Sequence, residues 1–247
     1  MSDQQETALK GQVAIVTGGT RGYGQGIAAV LKKKGAEVWI TGRNRQDLAR
    51  TAREVKVDWL QADVTREKDS DKLLSRVLEK HGRLDILVNN AGAAIRIAAL
   101  DQQSDEEIRR SLEVNLTGAI LGCRRAAAVM KKQKAGIILN ILSVCAMEAW
   151  PEWSVYSAAK AGLWQFSRCL YTELRPFGVR VSSILPSWGA TDFLQAAGRK
   201  GFNSRIKTKC IQPEELGELV AFVCSLPAHL CLEHLTLWPM VQEVVPL

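Results

Sequence analysis

Residues 12–35 read QVAIVTGGTRGYGQGIAAVLKKKG. The first part, "QVAIVTG" (12–18), is a short apolar run rich in β-branched residues and reads as a strand, whereas "GIAAVLKKKG" (26–35) has helical period and closes on Gly35. Gly18, Gly22 and Gly24 fill the turn between them. Glycines let a backbone turn tightly and approach an anion, and the N–H groups opening the next helix supply an anion site.

The rest of the chain repeats that alternation. Six more strand candidates lie at 36–42, 55–63, 84–92, 135–143, 179–186 and 234–240, with helical stretches near 45–54, 67–81, 104–131, 154–175 and 213–225. Strands joined by helix-length crossovers cannot be hairpins, so the expected sheet is seven-stranded and mainly parallel, with helices on both faces. The fold class is α/β, one doubly wound, Rossmann-like domain over 1–247, and its ligands belong outside the carboxyl ends of the strands. The longest stretch without clear period, about 187–212, follows the sixth strand at that rim and reads as a substrate lid.

Composition narrows the function classes. With 47% apolar and 24% charged residues the chain has the balance of a globular protein, and no apolar run approaches the ~20 residues of a membrane span. The polar start "MSDQQETALKG" has no apolar signal core, and six cysteines show neither Cys-x-x-Cys pairing nor zinc-ligand spacing. The expectation is a cytoplasmic protein with free thiols and no metal. The net charge of +7 sits in short separated clusters, Lys32–Lys34, Lys131–Lys134 and Arg199–Lys209. The first two fall at helix ends, where cations face solvent and complement the dipole, so nucleic acid is not the expected partner.

The glycine turn is spaced T-G-x-x-x-G-x-G rather than G-x-G-x-x-G. Near the end of the second strand stands "TGRN" (41–44), where a carboxylate would accept from the ribose of NAD; Arg43, with Arg21 from the turn, instead offers guanidinium forks suited to a 2′-phosphate, favouring NADP. Asp63 closes the third strand and suits either an adenine contact or a helix cap.

Farther on, "SVYSAAKAGLW" (154–164) puts Tyr156 and Lys160 four positions apart, on one helix face. Alone the pair is weak, since a Tyr-x-x-x-Lys match arises by chance in roughly one such chain in five. Taken with "TGGTRGYG", "NNAG" (89–92), Asn115 and Ser143 in order, the sequence resembles the short-chain dehydrogenase/reductase family over nearly its whole length. That resemblance implies an NADP(H)-dependent oxidoreductase interconverting a carbonyl and a secondary alcohol, with Asn115, Ser143, Tyr156 and Lys160 as its catalytic set. It implies a cofactor site made by Gly18, Thr20, Arg21, Gly22, Tyr23, Gly24, Arg43, Asp63, Val64, Asn90, Ala91, Gly92, Pro186 and Thr191, together with Tyr156 and Lys160. An unperturbed phenol ionises near ~10, and a cation one turn away favours its phenolate, so Tyr156 is the expected acid/base. Ser143 suits donation to the substrate oxygen as charge builds there. The resemblance gives Lys160 a second task, holding the nicotinamide ribose, and gives Asn115 a water that links Lys160 to solvent. His81, His229 and His234 fall outside this set.

Expected walls of the pocket are 93–96, 145–153 and 186–193, with Trp150, Trp153 and Trp188 favouring a hydrophobic or ring-containing small-molecule substrate unless these indoles are core or subunit packing. Basic residues in 199–209 leave an anionic substrate open. Two stretches depart from the family pattern: Pro186-Ser187 replaces Pro-Gly, and "LTLWPMVQEVVPL" replaces a glycine-rich ending. Small residues Ala158, Ala161 and Gly162 suit close packing in a homodimer or homotetramer. The alternative reading is a regulatory protein of this fold that binds NADPH without turnover; a methyltransferase on a related sheet would need no Tyr–Lys pair.

Overall fold

The computed structural model describes residues 7–243; the polar start at 1–6 and the last four residues of the unusual ending lie outside them. Seven strands, β1 (Val13–Thr17), β2 (Glu37–Gly42), β3 (Asp58–Gln61), β4 (Ile86–Asn89), β5 (Gly136–Ile141), β6 (Val179–Pro186) and β7 (His234–Leu237), form one sheet in the order β3-β2-β1-β4-β5-β6-β7. Every pairing is parallel, the seventh strand included. Period-two alternation divides the strand side chains between two cores. Ala14, Val16, Ile86, Val88, Ile137 and Leu139 face α1 (Gly22–Lys33), α2 (Arg45–Val55) and α9 (Pro213–Ser225) through Ile27, Leu31, Leu48, Leu216 and Val220. Val13, Ile15, Leu87, Ile138 and Val181 face α3 (Glu67–His81), α5 (Gly118–Gln133) and α6 (Ser154–Leu174) through Leu73, Val77, Met130, Leu170 and Leu174. Each fully buried Leu or Ile in these layers contributes about 1.5–3 kcal/mol.

Local chemistry sets the ends. Asn44 caps α2 by accepting from Gln46 N (2.8 Å) and Asp47 N (3.2 Å), and Ser104 with Glu107 closes a capping box on α4 (Asp105–Leu112). The strand expected at 84–92 stops at Asn89, because Asn90 N turns aside to Thr17 Oγ1 (3.1 Å). The seventh strand, expected to reach 240, stops at Leu237, one residue before the Trp238-Pro239 step, where proline has no N–H for the ladder. The helix expected at 104–131 is α4 and α5 joined by a π turn at Glu113–Thr117, a register change that aims Asn115 inward. Two four-residue helices, α7 (Phe193–Ala196) and α8 (Ser204–Lys207), break up segment 187–212, whose ends meet in a bridge between Gly189 and Ile211.

A buried polar relay fixes α6 on the sheet. Asn89 Nδ2 donates to Asn140 Oδ1 (2.8 Å), Asn140 Nδ2 to Ser167 Oγ (2.8 Å), and Ser167 Oγ to Leu163 O (2.6 Å). In a low-dielectric interior such a satisfied chain specifies one docking of the helix, and so the height at which Tyr156 and Lys160 stand above β5.

Candidate active site

The carboxyl ends of β1 and β4 are stitched together. Thr17 Oγ1 accepts from Asn90 N and Ala91 N (3.0 Å), while Asn90 Nδ2 donates to Thr17 O (2.9 Å) and Gly18 O (3.2 Å). At two of its glycines the turn they hold has no room for a side chain: Gly18 has φ +66°, and a Cβ at Gly24 would stand 2.2 Å from Gly18 O. Helix α1 opens here with Arg21 at its cap, no side-chain cap and no acidic residue in its first turn, so its leading N–H groups are available to an anion. Arg21 and Arg43 are exposed, and among the described residues no carboxylate forms an ion pair with either. The Arg43 carbonyl accepts from Gln61 Nε2 (2.8 Å), which fixes the backbone beneath that guanidinium. A glycine-lined turn, an open helix N-terminus and two unpaired guanidiniums fit a dinucleotide carrying an extra phosphate.

Asp63 is already engaged. Its Oδ1 accepts from Thr65 N (3.0 Å) and Thr65 Oγ1 (2.8 Å), and Oδ2 accepts from Arg110 (3.3 Å). Burial works to raise its pKa, but these bonds outweigh burial and hold the carboxyl below the usual range. Helix α3 begins later, on Arg66, so Asp63 is not its cap. Its neighbour Val64 packs where a Cβ on Gly118 would come within 2.9 Å.

On the other side of the β1/β4 crevice the sheet brings Ser143, Tyr156, Lys160, Asn115 and Gly92 together. Ser143 follows β5, and its Oγ accepts from Cys145 N (3.2 Å); it lies on the side of the Tyr156 hydroxyl, where it favours the phenolate. Lys160 lies one turn along α6 from Tyr156, with Nζ 5.7 Å from the phenol ring centre and donating to Ile141 O (2.9 Å). A Cβ on Gly92 would come within 3.5 Å of Lys160 Nζ and 3.0 Å of Asn115 Oδ1. The Asn115 side chain is committed to protein: Nδ2 donates to Ala93 O (2.7 Å) and Ser111 O (2.9 Å), and Oδ1 accepts from Ala93 N (3.0 Å). Its direct effect is to clamp the loop after β4 onto the π turn, a contact for which Ser111 gave no signal in sequence.

Tyr156 is 7% exposed and Lys160 3%. Burial pushes the phenol above its ordinary value, with the nearby Cys145 thiol adding and Ser143 opposing, while burial pulls Lys160 down to about 8. The direction for Tyr156 is opposite to that expected from a cation one turn away: burial is the largest influence on the phenol and favours its protonated, donating form.

The buried lysine makes stability depend on pH. Lys160 has a folded pKa below its unfolded one, so burying its charge opposes folding fully below pH about 8, and the penalty fades as pH rises toward the unfolded value. Lys160→Met is expected to raise the melting temperature at pH 7 by a few degrees, partly offset by the lost bond to Ile141 O, and the gap to the wild-type protein should narrow between pH 8 and ~10.5. Calorimetry across that range checks it; a lower melting temperature at pH 7 would show that the ammonium is well solvated.

Aromatic rings close the cleft. Trp153 and Phe193 each meet the Tyr156 ring edge-on with centroids 5.6 Å apart. Trp188 packs on Phe202 at 4.7 Å, and Trp150 on Trp238 at 6.4 Å, two partners that sequence had not singled out. Trp153 is thus nearest the phenol, whereas Trp150 and Trp188 fix loops. Thr191 packs beside the turn, where a Cβ on Gly22 would come within 3.2 Å of it, and the Tyr23 hydroxyl donates to Ser187 O (3.4 Å), just beyond Pro186. In the basic stretch Arg199 pairs with Glu152 and Lys207 with Asp192, so part of its charge is spent on the protein itself. The histidines stand apart: His81 accepts from Trp39 Nε1 (3.1 Å), His234 packs on Trp164, and His229 is exposed.

Comparison with known proteins agrees with this architecture. An uncharacterised oxidoreductase of Staphylococcus aureus (strain USA300) is 31% identical over 95% of this chain and 100% of its own length. A 3-oxoacyl-acyl-carrier-protein reductase of Synechocystis is 34% identical over 90% of this chain and 92% of its own. Among solved structures, a metagenomic short-chain oxidoreductase in complex with NADP superposes with a TM-score of 0.82 at 29% identity, over 95% of this chain and 100% of that one. The family model for short chain dehydrogenase matches residues 12–200, and the chain accordingly belongs to the short-chain dehydrogenase/reductase family of oxidoreductases.

Proposed function

We propose that the chain, working as a single domain, interconverts a carbonyl and a secondary alcohol with NADP(H), on substrates that are hydrophobic or contain a ring. The observation that carries this reading is the buried constellation at the carboxyl end of β5: the Tyr156 phenol and Lys160 one helical turn apart, with Ser143 beside them. Arg21 and Arg43, unpaired beside the glycine turn, support the phosphorylated dinucleotide, and the solved relative with NADP is consistent with it. Trp153 and Phe193, flanking the phenol, support a flat apolar substrate.

When bound, the dihydronicotinamide supplies the hydride. The protein's own residues do the rest. Ser143 and Tyr156 donate to the substrate oxygen, stabilising the negative charge that builds there, and Tyr156 passes its proton to that oxygen. Lys160 stands behind the phenol as the charge that steadies the resulting phenolate, and the rings of Trp153 and Phe193 exclude water. In the oxidative direction the same phenol must first lose its proton, which burial opposes, so the oxidative rate should rise with pH.

Oxidation of NADPH followed at 340 nm against a panel of ketones and quinones tests the reading; turnover with at least one aromatic or alicyclic carbonyl is expected. Tight NADPH binding without turnover across a broad panel would instead favour a regulatory, non-catalytic protein. The protein is proposed to work in a reducing cytosol, where its six unpaired thiols persist, and as a homodimer or homotetramer. The expected small-residue face offers only partial support: Ala158 is exposed, but Gly162 packs near Leu116 of the same chain. Among the described residues no helix is long and apolar enough to cross a membrane.

A further inference from the structure

The two stretches in which this sequence departs from its family meet each other in space. Ser187 stands directly after β6 and is tied in three directions: its N–H donates to Leu237 O (2.9 Å), its hydroxyl to Gln242 Oε1 (2.5 Å), and its carbonyl accepts from the Tyr23 hydroxyl (3.4 Å). The same Gln242 oxygen accepts from Trp188 N (3.2 Å). Gln242 is only 9% exposed although Met240, two residues earlier, is fully exposed, so the chain turns back to bury this one amide. That turn is closed by Gln242 N donating to Pro239 O (2.9 Å). The same ending reaches the loop after β5, where Trp238 packs on Trp150 and Thr236 Oγ1 donates to Met147 Sδ (3.7 Å).

Both walls of the cleft are thereby fastened to one C-terminal strap. Downstream of the two hydrogen bonds to Gln242 run Gly189, which meets the Tyr23 ring so closely that a Cβ would clash, then Thr191 beside Gly22, then Phe193 on the Tyr156 ring. A segment held at its first two residues by hydrogen bonds to one acceptor has little freedom to slide, and the ring that covers the phenol is six residues beyond Ser187.

We propose that Gln242 is a positioning residue for the substrate-covering segment: through Ser187 and the Trp188 main chain, its side-chain oxygen fixes where Phe193 stands over Tyr156 and so tunes substrate recognition. The link to recognition rests on the carbonyl-reductase reading above, whereas the mechanical link does not. A glutamate at 242 keeps an acceptor at the same reach, and a leucine keeps the bulk without the acceptor.

Two readouts test this on the full-length protein. Segment 187–212 carries five trypsin sites, Arg199, Lys200, Arg205, Lys207 and Lys209, so its release is measured directly by cleavage rate. Gln242→Leu is expected to speed cleavage there by about five- to a hundredfold, the worth of the two hydrogen bonds lost, with cleavage elsewhere unchanged. KM for the carbonyl substrate should rise by a similar factor while NADPH affinity stays within about twofold; Gln242→Glu should lie near wild type in both assays. Unchanged cleavage and KM in Gln242→Leu would overturn the proposal, as would a glutamate variant as impaired as the leucine one. Should Gln242→Leu fail to fold, Ser187→Ala, which removes the hydroxyl donor from the other side, must give the same pattern more weakly. A wild-type protein that reduces no carbonyl removes the assigned activity but leaves the cleavage assay to decide the strap.

Discussion

Tyr156→Phe loses about two to four orders of magnitude in kcat for carbonyl reduction while its NADPH affinity stays within about twofold of wild type. The substitution deletes one oxygen from a buried ring and keeps the faces that Trp153 and Phe193 pack against, so the pocket retains its shape. What disappears is the proposed proton donor, whose protonated form burial favours. The remaining Ser143 hydroxyl still donates to the substrate oxygen but has no cation behind it to steady an alkoxide, and its ordinary acidity is far too low to substitute. Single-turnover kinetics with saturating NADPH separate the chemical step from binding. Wild-type turnover in the Tyr156→Phe variant would remove the phenol from the reaction and with it the proposed proton route. Melting temperature provides the control: because burial already opposes the charged phenol, removing the hydroxyl should leave stability nearly unchanged.

The second large effect is on cofactor choice. Arg43→Ala is expected to weaken NADPH by about 10–100-fold, the 1.5–3 kcal/mol of a charge-assisted hydrogen bond, and to leave NADH within about twofold. The side chain is free to make that bond since no carboxylate of the described residues pairs with it, and its removal disturbs little: Gln61 holds the Arg43 carbonyl and Asn44 caps α2, neither through the guanidinium. Fluorescence titration of both cofactors at two salt concentrations gives the answer, because the Arg43-dependent difference should shrink as salt rises. Equal weakening of NADPH and NADH would mean that Arg43 does not meet a 2′-phosphate.

Much of this molecule was legible because its signals are local. The apolar run 12–18, the glycines after it and Gly35 each act within a few residues, so strand, turn and helix follow from neighbouring side chains. Tyr156 and Lys160 share a helix turn for the same reason. The π turn at Glu113–Thr117 was not legible: its sequence has ordinary helical composition, and the change of register is stabilised by Asn115 reaching Ala93, a partner 22 residues away. Asp63 shows the limit in another form. Its residue type suited a helix cap, but α3 is capped at Arg66, and the carboxylate accepts instead from Arg110, 47 residues distant.

By itself, then, the chain determined the alternation of strands and helices, the glycine turn and the Tyr–Lys pair, since each rests on spacings within one or two turns of backbone. Only the tertiary structure decided the direction in which burial shifts Tyr156, the commitment of Asn115 and the meeting of Ser187 with Gln242. Burial and long-range hydrogen bonds depend on which surfaces the sheet brings face to face, and no local pattern encodes how much water a side chain loses there.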